Sequence, residues 1–86
     1  MEMRIVAPDG ASATALAEEL AIACGSDRIS LREEHRAVEV LIDQDPGPAI
    51  VRVIDTVEQW FGHARVATVE MWLGERSYKF ARWFPV

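Results

Sequence analysis

The segment VATVEMWLGERSYKFARWFPV, from Val66 to Val86, constrains the fold of this chain more than any other stretch. Residues alternate in character on both sides of Gly74-Glu75. A two-residue turn there pairs Val69 with Phe80 and Met71 with Tyr78 on one face, and Glu70 with Lys79 and Trp72 with Ser77 on the other. Glycine at the first turn position suits a type II′ hairpin, whose first central residue needs a positive φ. The pattern predicts a hairpin that feeds Val69, Met71, Tyr78 and Phe80 into a core and turns Trp72 away from it. If the register continues, Trp83 pairs with Val66 and lies on the outward face with Trp72, ~20 Å along the strand. Five of the seven aromatic residues fall in this stretch, so it decides both the core and the exposed aromatic surface.

The remaining segments supply partners for the hairpin. MRIVAP reads as a first strand ended by Pro8, Asp9 and Gly10. ASATALAEELAIACG places Ala13, Leu16, Ala17, Leu20 and Cys24 at helical spacing, with Asp9 or Ser12 as cap and Gly25 as stop. This helix is narrow and alanine-rich, and can lie close to a sheet. DRISLREEHRAVEVLID divides into two strands about a turn at Glu34-His35, with Ile29 opposite Val40 and Leu31 opposite Val38. Ser30, Arg32, Ala37, Glu39 and Leu41 form the other face. Asp45 as cap, Pro46 at the first helical position and Gly62 as stop bracket a second helix, whose apolar stripe is Ile50, Val53, Ile54, Val57 and Phe61. Trp60 sits on the flank of that stripe and is expected to cover the rim of the core.

The element order is therefore β-α-β-β-α-β-β. Right-handed crossovers and adjacent hairpin strands give a ferredoxin-like β-α-β-β-α-β sheet in spatial order 4-1-3-2, with the fifth strand beside the fourth and two helices on one face of an antiparallel or mixed sheet. Residues 1–86 form a single α+β domain, with no linker and no low-complexity segment.

Charge and composition narrow the function. Nine basic against fourteen acidic residues give a net charge of −5, which repels phosphate backbones. The outward positions of the first and third strands, Arg4, Val6, Ala37, Glu39 and Leu41, cannot stack bases as an RNA-reading sheet does. Nucleic acid is not expected as a partner. No run of about eighteen apolar residues is present and the given N-terminus has no leader-like run, so a membrane is not expected as a partner and the location reads as cytoplasmic. Cys24 is the only cysteine. It lies on the apolar side of a helix with no histidine at hand, and reads as a small core residue.

Catalytic motifs are missing from the sequence: it has no HExxH, P-loop, GxGxxG or GxSxG. Asp43 and Asp45 begin like a calcium loop, but no further acidic ligand follows at the spacing such a loop needs. The topology brings Asp9, Glu34, His35 and His63 to one edge of the sheet, but the two histidines are expected ~12 Å apart there, too far to share one metal. No catalytic residue, metal or cofactor is assigned.

The first strand, the helix PAIVRVIDTVEQWFG and the closing hairpin VATVEMWLGERSYKFARW together resemble the effector-associated constant component domains of actinobacterial conflict systems. That resemblance implies a non-catalytic adaptor that recruits or regulates an effector, with no catalytic residues to carry over. The residues themselves point the same way, to a non-enzymatic protein-interaction domain that binds a protein partner or a second copy of itself. Its expected contact surface is Trp72, Trp83, Val66 and Ala81, with Phe84 reaching across a neighbour. The competing expectation is a small-molecule or metal-binding domain, or a minor enzyme, using the edge with Asp9, Glu34, His35 and His63.

Overall fold

The computed structural model describes residues 2–42, 46–64 and 66–81. Strand β1 (Glu2–Val6) leads to helix α1 (Gly10–Cys24), then to β2 (Ile29–Arg32), β3 (Ala37–Leu41), helix α2 (Pro46–His63), β4 (Thr68–Leu73) and β5 (Arg76–Ala81). The strands form one five-stranded sheet in the order β2-β3-β1-β4-β5, and every neighbouring pair is antiparallel. Among the described residues no helix is long and apolar enough to cross a membrane.

Local chemistry sets the ends of α1. The extended Asp9 accepts a hydrogen bond from the Ser12 backbone N–H at 2.7 Å, satisfying a donor that the first helical turn leaves open. Gly25, at φ 100°, ends the helix in a conformation that side-chain-bearing residues avoid. Helix α2 begins at Pro46 as its fixed φ favours, but it passes through Gly62, the expected stop, to His63. Asp45 as cap, Asp43 and Asp45 as calcium ligands, and all expectations for Trp83 and Phe84 lie outside the described residues.

The alternation in the strands is realised as a single buried face. Met3 and Ile5 of β1, Val38 and Val40 of β3, and Val69 and Met71 of β4 are buried with Ala13, Leu16 and Leu20 of α1 and Val53, Val57 and Trp60 of α2 in one cluster. Both helices therefore lie on the same side of the sheet. The hairpin registers are Ile29 opposite Val40, Leu31 opposite Val38, Val69 opposite Phe80 and Met71 opposite Tyr78. Gly74 opens the last turn at φ 62° and no other residue of that turn has a positive φ, the signature of a type II′ turn.

Three expectations are corrected. The β2–β3 turn is longer than Glu34-His35. Glu33–His35 form a 3-10 turn, and Arg36 takes the left-handed conformation at φ 52°. Glu34-His35 lacks the Asn or Gly that a two-residue hairpin turn prefers, and the chain takes its one positive φ here at Arg36 instead. Arg36 is held there on three sides: its N–H donates to the Glu33 carbonyl, its carbonyl accepts from the Ala7 N–H at 2.9 Å, and its Nη1 donates to the Pro8 carbonyl at 3.1 Å.

Trp60 is a core residue at 4% exposure and not a rim residue, because the buried stripe of α2 runs through Val53, Val57 and Trp60, while Ile50, Ile54 and Phe61 are half-buried. Tyr78 faces the helical side as expected, yet it is 50% exposed. Two packed helices roof a strip ~20 Å wide, whereas five strands ~4.8 Å apart occupy ~24 Å. The fifth strand is left beyond the roof. Phe80 is half-buried against Phe61 of α2, their ring centroids 5.9 Å apart.

Trp60→Ala should cost about 3–5 kcal/mol in urea denaturation, and Val51→Ala, on the exposed side of the same helix, less than about 1 kcal/mol. Similar losses for the two would place the helix in a different rotation.

Candidate functional site

The face of the sheet opposite the helices is laid out by register. One row across the strands reads Ser30, Glu39, Arg4, Trp72 and Ser77, and the next reads Arg32, Ala37, Val6, Glu70 and Lys79. Glu39 is the electrostatic centre. Its Oε1 lies 3.6 Å from Arg4 Nη2 and 3.4 Å from Arg32 Nε, and its side chain is only 12% exposed. Two guanidiniums straddle one carboxylate, so the β2–β3–β1 part of the face is a paired charge cluster. Next to Arg4, Trp72 is 36% exposed, and Leu41 at the other side of the face is exposed as well.

The expected contact residues separate in the structure. Trp72 lies on the bare face and Ala81 is exposed at the end of β5. Val66, however, is 6% exposed and belongs to the core cluster, so it is not part of the outer surface. It precedes β4, where the alternation of that strand no longer governs which way it faces.

The loop edge is also resolved into separate parts. Asp9 caps α1, and its carboxyl is held below the usual carboxylate range chiefly by the Ser12 backbone N–H that donates to it, with Arg36 adding a smaller attraction. Glu34 and His35 lie exposed on the 3-10 turn, and His63 is the exposed last residue of α2. His63 lines a shallow cleft with Ser12 and Trp60 between the two helices, a cleft to which His35 does not contribute. Among the described residues no group of three His, Cys, Asp or Glu side chains is placed to hold a metal ion.

Two further concavities went unread in the sequence. Cys24 lines a cavity of about 280 Å³ with Arg28, Arg52, Val40 and Ile42, at the end of the sheet where α1 finishes and α2 starts. Burial pushes the Cys24 thiol up, outweighing the two arginines that draw it down, so it is a poor nucleophile at neutral pH. The second is an apolar groove of about 390 Å³ between α2 and the closing hairpin, lined by Ile50, Ile54, Leu73, Tyr78 and Phe80 over a floor of Met3 and Met71. Alternation reveals which face a residue takes but not how far the helices reach over it. The available signal was the count of two helices against five strands.

No protein-family model, no curated protein and no solved structure matches this chain.

Because the folded Asp9 carboxyl titrates below its unfolded value of about 3.9, its contribution to stability is complete above that pH and fades as the pH falls through the lower, folded value. The melting temperature of Asp9→Ala should therefore lie below wild type at neutral pH, with the gap closing under acid conditions below about pH 4. A gap that persists undiminished into acid would show that the carboxylate charge is not what caps α1.

Proposed function

We propose that this chain is a non-enzymatic protein-interaction domain: a ferredoxin-like β-α-β-β-α-β unit, extended by the strand β5, that presents its helix-free sheet face to a protein partner. The observation that carries this reading is the bare face itself. Both helices lie on the other side, and the exposed Trp72 stands beside the Arg4–Glu39–Arg32 cluster. An aromatic anchor surrounded by polar and charged groups is the composition that protein interfaces favour. The charges of Glu39 are already met within the chain, so a partner need not supply a counter-charge to this carboxylate on docking. The chain's net charge of −5 disfavours nucleic acid as the partner. An adaptor role within a conflict system, the role implied by the resemblance to effector-associated constant component domains, agrees with this reading. The loop edge offers less to a small molecule or metal, since Asp9 is occupied as a helix cap and His35 and His63 line no common cleft.

Trp72→Glu tests the reading. The variant should keep a stability within about 1 kcal/mol of wild type and lose the proteins that cross-link to the wild-type domain in extracts of its native cells. Cross-linked partners that bind Trp72→Glu as well as wild type would remove the outer face from the interaction. Concentration-dependent thermal stabilisation by a divalent metal or a metabolite, lost in His35→Ala or His63→Ala, would replace the interaction reading with ligand binding at the loop edge.

A further inference from the structure

Beyond the outer face, the geometry points to a second surface: we propose that β5 is a homodimerisation edge, pairing antiparallel with β5 of a second copy about a two-fold axis at Tyr78. This surface is distinct from the outer face and its test reads a different outcome.

The backbone supplies the first argument. In a two-residue hairpin the pair flanking the turn, Leu73 and Arg76, is a hydrogen-bonded one, and such pairs alternate along the ladder. Arg76, Tyr78 and Phe80 therefore direct their N–H and C=O groups to β4, while Ser77, Lys79 and Ala81 direct theirs to the open side. β5 is an edge strand of six residues, so among the described residues these groups form an unpaired row that another strand can complete. The opposite edge, β2, is less suited. It has only four residues, is bounded at both ends by 3-10 turns, and has α1 packed against it.

The side chains identify the occupant as a second copy. A two-fold axis at Tyr78 keeps the helical layers of both copies on the same side. It sets Ser77 opposite Lys79 and Arg76 opposite Phe80, so no like charges face one another and the guanidinium meets an aromatic ring. An axis at Lys79 would instead oppose two ammonium groups. Ser77 and Lys79 are the residues with outward backbone groups, and in this register they are paired with each other. Tyr78 meets Tyr78 of the other copy in a non-hydrogen-bonded pair, the closer kind, where side chains touch most. This covers the ring that the helical roof leaves 50% exposed, and joins the two apolar grooves, each lined by Ile50, Ile54, Leu73 and Phe80, into one continuous cleft across the dimer. Strand, ring and groove are complementary to their own copies, as an isologous interface requires.

Light scattering on the chain of residues 1–86 tests the proposal. The mass should rise with concentration from 9.6 kDa toward twice that value. Lys79→Pro removes an N–H that points to the open edge and leaves the β4 ladder intact, so it should stay folded by circular dichroism and remain monomeric. Position 78 faces itself across the axis, so Tyr78→Lys and Tyr78→Glu should each associate at least ~10-fold more weakly than wild type. Mixed, the two variants should recover association as a heterodimer. A wild type that stays monomeric at high concentration would overturn the proposal, whether a protein of other sequence or residues 82–86 cover the groove. A dimer indifferent to both Lys79→Pro and the charge pair would overturn it equally.

Discussion

Two helices cannot cover five strands, and most of what is distinctive in this molecule follows from that mismatch. The alanine-rich α1 packs against β2 and β3. The bulkier α2, with Val53, Val57 and Trp60 inward, roofs the centre. What remains is β5, tied to β4 by a complete ladder from Thr68–Ala81 to Leu73–Arg76 but roofed only where Phe61 reaches Phe80. Apolar side chains that alternation directs to the core thus come to line an open groove.

The other face is governed by charge and not by burial. Glu39 sits on β3, one of the inner strands, where water has limited access to its carboxylate, and the flanking Arg4 and Arg32 offset that desolvation. Both arginines are about half exposed, so each pair contributes only about 0–1 kcal/mol to folding. Two arginines against one carboxylate leave the cluster with one excess positive charge, beside Trp72, the largest apolar group of the face, in a chain whose net charge is −5.

Much of this was legible in the sequence. Period-two alternation in TVEMWL and RSYKFA, with a glycine at the only position that needs positive φ, determined the last hairpin residue by residue. Gly25 marked the end of α1, and Asp9 was one of two candidate caps, with Ser12, for its start. The failures have physical causes. Gly62 was read as a stop, but a glycine inside a helix costs only about 1 kcal/mol and does not end one by itself. Trp60 was read one position off the stripe because a helical stripe spans a wide arc, and the neighbouring helix and Val66 enclose its flank. The Arg36 conformation depends on the Ala7 N–H and the Pro8 carbonyl, some twenty-eight residues distant in sequence, which no local pattern reports. The groove followed from the relative widths of two layers, a property of the whole assembly.

As a true edge, β5 is hydrogen-bonded on one side only and is roofed only where Phe61 reaches Phe80. Residue-resolved amide exchange on a dilute sample tests it most directly. Such an edge exchanges slowly at Tyr78 and Phe80 and fast at Ser77 and Lys79, a period of two along one strand, beside uniform protection at residues 3–6 of β1, paired on both sides. Equal protection of Ser77, Tyr78, Lys79 and Phe80 in the monomer would contradict it, because some other part of the chain would then be bonded along the outer side of β5.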